Sequence, residues 1–192
     1  MSEFIDEKVL ELKRQKEKRK YSSIETGVFI GEEYYEFEIV ELYTKLVSIS
    51  LPDAFVDMPP NLAKLKYPSE MRPQIIKTSL DTKVNFMFNY YNLPIENHQV
   101  NGAANDFRQA LKRVNPSMQF FSFQDMELGK KTLTWFDFKS NALDAQLYNL
   151  VFCTPITGNV FQGHFNCIFT DANDWSPVMQ QMLETIQDLS LR

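Results

Sequence analysis

A chain of 192 residues with 16 Phe, 8 Tyr and only 6 Gly is long enough to bury one core without disulfide or metal staples, and its composition suits tightly packed strands. The net charge of −5, with no folded stretch that interleaves Lys and Arg with aromatics, argues against a nucleic-acid groove, and no glycine-rich phosphate cradle occurs. No apolar run approaches the roughly 20 residues of a membrane span. Glu3, Asp6, Glu7 and Glu11 stand where an exported leader needs a positive end followed by an apolar run, so a cytoplasmic protein without membrane contact is expected.

Residues 1–23 read as a charged helix or tail in front of one domain over 24–192. Ile5, Val9 and Leu12 are its apolar stripe, and so short a helix is marginal alone. Its expected uses are docking on the domain, on a partner, or on a second copy in a homo-oligomer. From Thr26 to Ser50 the pattern is strand-like: Val28-Phe29-Ile30 stops at Gly31, Tyr35, Phe37 and Ile39 alternate with Glu36 and Glu38, and Leu46 to Ile49 follows. Pro52, Pro59, Pro60, Pro68 and Pro73 make 51–73 an irregular crossing that holds no sheet ladder, with one helical turn over 61–66. As the longest connection it is a place where function is expected.

Strands are predicted over 74–79 and 83–91, the second with Val84, Phe86, Phe88 and Tyr90 on one face and Asn85, Met87 and Asn89 on the other. A helix follows, with Val100, Ala103, Phe107, Ala110, Leu111 and Val114 at helical spacing, Asp106, Arg108, Lys112 and Arg113 outside, and Asn115-Pro116 as its stop. Four neighbouring antiparallel strands are predicted over 118–126, 131–138, 146–154 and 159–170, linked by turns at Gly129 and at Thr157-Gly158-Asn159. Asp174 as N-cap opens a last helix whose stripe is Trp175, Val178, Met179, Met182, Ile186 and Leu189. The fold class is therefore α+β, with helices laid on a mainly antiparallel sheet.

Cys153 and Cys167 flank the Thr157-Gly158-Asn159 turn. If that turn closes a hairpin, Cys153 lies opposite Gly163 or His164, and Cys167 is three or four residues on, about 10 Å or more away at ~3.4 Å per residue. That exceeds disulfide reach and suggests two reduced thiols in a reducing compartment. His98 precedes a helix as a polar lead-in. His164 lies three residues before Cys167 in a strand, so the two point to opposite faces and cannot share a metal. Asp171 with Asp174, and Glu32 with Glu33, sit at a helix start and a turn, where carboxylates meet loose N–H groups or water. No calcium loop, G-x-S-x-G elbow, Walker sequence or H-E-x-x-H occurs. No catalytic residue, metal or cofactor is expected.

The second faces of several strands carry neutral polar groups: Asn85, Asn89, Asn149, Gln162, His164 and Asn166, flanked by Met87 and Tyr91. If those strands adjoin, the side chains form one uncharged hydrogen-bonding face of the kind found in interaction cores; the other reading is that they are satisfied locally or covered by the Pro-rich crossing. The binding candidates are thus Asn85, Asn89, Tyr91, Gln162, His164 and Asn166, with another protein as partner. Alternatively, a pocket between the crossing and the sheet, with Tyr67, Arg72 and Tyr91 at its mouth, holds a small molecule or a cryptic active site.

The order of these elements, with Lys45-Leu46-Val47-Ser48-Ile49-Ser50-Leu51-Pro52 leading into the crossing and Asp174-Trp175 opening the last helix, resembles the Mog1/PsbP-like superfamily over about residues 40–190. The resemblance implies an α/β/α sandwich with a central antiparallel sheet. It also implies a non-catalytic binding or accessory role, since members include a Ran-binding nuclear import factor, photosystem II extrinsic proteins and bacterial domains of unassigned role. No Ran-binding residue carries over position by position.

Overall fold

The computed structural model describes residues 22–142 and 145–191; the helix expected at the N-terminus falls on 1–21, outside them. Ser22 and Ser23, at the end of that expected tail, form strand β1, which pairs with β2 (Gly27–Ile30), and β2 pairs in turn with β3 (Glu33–Tyr35). β4 (Phe37–Leu42) and β5 (Val47–Pro52) make a second hairpin. The expected alternation breaks between β3 and β4. Val40 and Leu42 face the core instead, and Ile39 is 73% exposed, because the two strands belong to different sheets and parity is not carried across the break at Glu36.

The crossing is more regular than its prolines suggest. Val56–Asp57 forms a two-residue strand, β6, on the edge beside β7 (Ile75–Thr78), where prolines on either side deprive no neighbour of a donor. α1 (Pro60–Lys66) begins on a proline, whose missing N–H costs nothing at a helix start. β8 (Asn85–Pro94) and α2 (Val100–Val114) follow, then β9 (Gln119–Leu128), β10 (Lys131–Asn141), β11 (Gln146–Ile156) and β12 (Asn159–Ile168). α3 (Ala172–Glu184) and β13 (Gln187–Asp188) end the chain's elements. α3 starts three residues earlier than expected, after a 3-10 turn over Phe169–Asp171, so Asp174 lies in its first turn, where a carboxylate favours the positive helix end, and does not cap it. Ile186 and Leu189 lie past its end.

Seven strands form one sheet in the order β6-β7-β8-β12-β11-β10-β9, with every pairing antiparallel. Its first face carries Phe86, Phe88, Leu150, Phe152, Phe161 and Phe165, which pack against Trp175, Met179 and Met182 of α3 and against Val47, Ile49 and Leu51 of β5. On the second face α1 closes over Ile76 and Met87 through Ala63, Leu62 and Tyr67. α2 closes over Cys153 through Val100 and Ala104, and over Phe136 and Phe138 through Leu111. Both cysteines are free and buried. Cys153 faces Gln162 across the hairpin while Cys167 faces Tyr148, so they stand farther apart than expected, on opposite faces of the sheet.

Gly163 sits where Phe152 and Phe88 both oppose it, and a Cβ there would come within 2.0 Å of the Phe152 ring. The missing side chain lets that ring lie between Phe161 and Phe165, 5.6 Å from each centroid. Gly163→Ala is therefore expected to lower stability by about 1–3 kcal/mol through overpacking, measured as a reduced urea midpoint. An unchanged midpoint would mean that the ring is not held there.

Candidate functional site

β8, β12 and β11 lie side by side, so the polar residues of the second face meet: Gln162 opposes Asn89, Asn166 opposes Asn85 on one side and Asn149 on the other, and His164 opposes Met87. Their environments differ sharply. Asn85, Asn149 and Asn166 are 1%, 3% and 6% exposed. Asn85 Nδ2 donates to Asn166 Oδ1 at 2.9 Å, Thr78 Oγ1 donates to Asn85 Oδ1 at 2.9 Å, and the Lys66 ammonium of α1 reaches the same oxygen at 3.4 Å. Burial pushes the Lys66 ammonium below its ordinary value. Tyr67 covers the group; its buried hydroxyl lies beside the Asn166 amide without a hydrogen bond of ordinary geometry. All three are interior groups with partners inside the protein: Asn85 and Asn166 bond each other and Asn85 meets Lys66 of the crossing, while Asn149 bonds Ser140 and His164, so as contact residues Asn85 and Asn166 are withdrawn.

His164 is half-buried. Its Nε2 donates to Asn149 Oδ1 at 2.9 Å, and Asn149 Nδ2 donates to Ser140 Oγ at 2.9 Å. Burial pushes the imidazole down to about 4, so the ring is neutral at physiological pH. His98, by contrast, is exposed beside Glu96 at 3.3 Å, within a capping box made by Glu96 and Gln99. Among the described residues no group of three or more His, Cys, Asp and Glu is placed to hold a metal ion.

None of the cavities described among these residues is lined by Tyr67 or Arg72 together with Tyr91. Arg72 Nε donates to the Tyr67 carbonyl at 3.2 Å on the crossing, and the space between crossing and sheet is filled by Met58, Leu62, Ala63 and Tyr67. Tyr91 and Gln162 instead line an apolar cavity of about 290 Å³ under α2, with Leu93, Phe107, Cys153 and Val160 among its walls. Tyr91, Leu93 and Phe107 around it are 42%, 60% and 37% exposed. Leu93 escaped sequence reasoning because β8 runs three residues beyond the expected strand end at Tyr91. Phe107 was on the helical stripe, and what could have marked it is that Ala103, Ala104 and Ala110 beside it are too small to fill the space under a helix.

Arg108, expected outside α2, leans inward over the rings of Phe120 and Phe123 at 4.9 and 5.8 Å, a cation–π arrangement. At one end of the first face, Glu32, Glu33, Asp81, Asp171 and Asp174 line a larger cavity of about 510 Å³. It brings together the two carboxylate pairs that looked separate in the sequence. Burial raises the Asp81 carboxyl, but hydrogen bonds from Ser79 and Lys83 outweigh it and hold the group down near about 2.

No protein-family model matches the chain, and no curated protein matches it significantly. Solved structures do. Cyanobacterial PsbP (CyanoP) from Synechocystis sp. PCC 6803 is similar with a TM-score of 0.61 at 6% identity, covering 82% of this chain and 95% of that one. LpqN, described as involved in cell envelope biogenesis of Mycobacterium tuberculosis, is similar with a TM-score of 0.52 at 11% identity, covering 86% of this chain and 96% of that one. The chain has the Mog1/PsbP-like fold. At such identities the likeness concerns the backbone, and the residues of the second face are read from this chain alone. Among the described residues no helix is long and apolar enough to cross a membrane.

For this Mog1/PsbP-like domain the neutral His164 gives a pH signature. Its folded pKa, about 4, lies below the ~6.5 of an unfolded histidine. As pH falls, the unfolded chain takes up the proton first, so the contribution is complete above about pH 6.5 and disappears progressively between about 6.5 and 4. Wild-type stability in urea is expected to drop over that range by about 2–3 kcal/mol more than that of His164→Gln. Parallel curves for the two proteins would show that the ring is not held neutral.

Proposed function

We propose that this Mog1/PsbP-like chain is a non-catalytic protein-binding module whose contact surface is the open stretch of the second sheet face beside α2. The observation that carries the reading is the trio Tyr91, Leu93 and Phe107, large and partly exposed around one apolar cavity. Aromatic and aliphatic anchors around a pocket are the usual energetic centre of a protein interface. Gln162, Asn89 and the edge of His164 lie near them on the strands, so the matching partner is a protein segment with an apolar side chain flanked by uncharged hydrogen-bonding groups. The non-catalytic part of the reading is supported by the state of the reactive groups: His164 is held neutral, and burial pushes the Cys153 and Cys167 thiols up to about 11 and 12. Two free buried thiols also suit a reducing, cytoplasmic setting.

The test is affinity capture from the native host with the full chain and with a Leu93→Glu, Phe107→Glu double variant, followed by affinity measurement on the protein retained. Loss of both anchors is expected to weaken that complex at least ~30-fold, on the order of 2 kcal/mol, with a cooperative melt retained by the variant. A partner held equally by both proteins would refute the contact surface. The solution mass of the full chain, measured alongside, separates a hetero-complex from the homo-oligomer expected through residues 1–23.

A further inference from the structure

The cavity beneath α2 results from how the helix is held. One flank is pinned to the β9 side: Asn101 Nδ2 donates to the Asp125 carboxylate at 3.0 Å, Arg108 lies over Phe120, and Lys112 donates to the Met118 carbonyl at 2.8 Å. The other flank packs Ala103 and Ala104 against Cys153 and Val160, and these small side chains leave space beside the contact, bounded also by Val151. Phe107 packs on Phe136 at 6.2 Å between ring centroids and props the helix there. The space that remains, about 290 Å³, is close to the ~300 Å³ at which small-molecule sites begin.

The lining is chemically selective. No Lys, Arg, Asp or Glu belongs to it. Its polar groups are the Tyr91 hydroxyl and the Gln162 amide oxygen, 3.5 Å apart, at the long limit of a hydrogen bond and open to a better-placed third group. We infer that this cavity is a binding site for a small uncharged molecule, an aromatic ring or short acyl chain bearing one hydroxyl or carbonyl that engages Tyr91 and Gln162. A charged ligand would give up its hydration with no opposite charge in the walls. The inference rests on the apolar lining of this partly open cavity; it shares Tyr91, Leu93 and Phe107 with the protein-partner reading and goes beyond it in naming a small-molecule occupant.

N-phenyl-1-naphthylamine titrated into the full chain is the probe. Saturable one-to-one fluorescence enhancement is expected, displaced by 1-octanol and at least about tenfold more weakly by octanoate. Ala103→Phe and Val160→Phe, each filling the cavity, are expected to lower probe affinity at least about tenfold while keeping a cooperative melt. Methyl NMR of the wild-type chain gives a readout that needs no variant: shifts at Leu93, Ala103, Ala104, Val151 and Val160, and none at Ala63 or Ile76 under α1. Absence of saturable binding, equal displacement by octanoate, or shifts centred on Ala63 and Ile76 would each overturn the assignment. Loss of probe binding in Ala103→Phe and Val160→Phe with partner capture retained supports both readings. Probe binding with no partner in any capture leaves this one standing alone.

Discussion

The antiparallel pairing of β8 with β12 joins segments that meet 81 residues apart at Asn85 and Asn166, and both faces of the sheet depend on it. Such a contact is expensive in loop-closure entropy until the hairpins of β9 to β12 have shortened the effective loop. Once made, it sets a register in which Asn85 to Tyr90 each stand opposite a residue of β12. On one face Phe86 and Phe88 enter the aromatic core, and the ring of Phe152 crosses the vacancy left by Gly163. On the other, Asn85 lands on Asn166 and Asn89 on Gln162. A slip of one residue would exchange the two sets.

The same register separates the chemistry of the chain. His164 and Cys153 belong to the second face, while Cys167 and the carboxylates of the 510 Å³ cavity lie on or beyond the first. The sheet stands between them, and each of these nitrogen and sulfur groups is desolvated where it sits. Burial without a charged partner favours the neutral form of either type of group, which lowers an imidazole and raises a thiol. On the second face His164 and Cys153 are thus held in their uncharged forms.

The two helices divide that face unequally. α1 is short and sits flat, because Ala63 lets it approach Ile76 and Met87 closely and Tyr67 fills the remaining space. α2 is longer but has only Val100 and Ala104 fully buried. Its alanines fill little of the space beside them, and an apolar cavity with three large exposed side chains remains there. Beside α2, exposed Tyr91, Leu93 and Phe107 gather around one apolar cavity.

Hydrophobic periodicity is a local property, and it was sufficient for the existence and type of β8, α2, the four-stranded meander and α3, and for the α+β class. Turn chemistry at Gly129 and Thr157-Gly158 placed the hairpin ends. The same local evidence put Asn85 and Asn89 on one face of β8, and Gln162, His164 and Asn166 on one face of β12; the pairing of the two strands joined them. Local evidence could not say which of them water reaches, because exposure depends on where α1 and α2 land after β8 finds β12. Nor could it bring Glu32, Glu33, Asp81, Asp171 and Asp174 to one cavity or turn Arg108 inward. Composition and spacing act over a few residues and determined the elements and their faces; packing between elements distant in the chain acts through shape and solvent exclusion, and it alone decided which polar groups are interior and where a cavity remains.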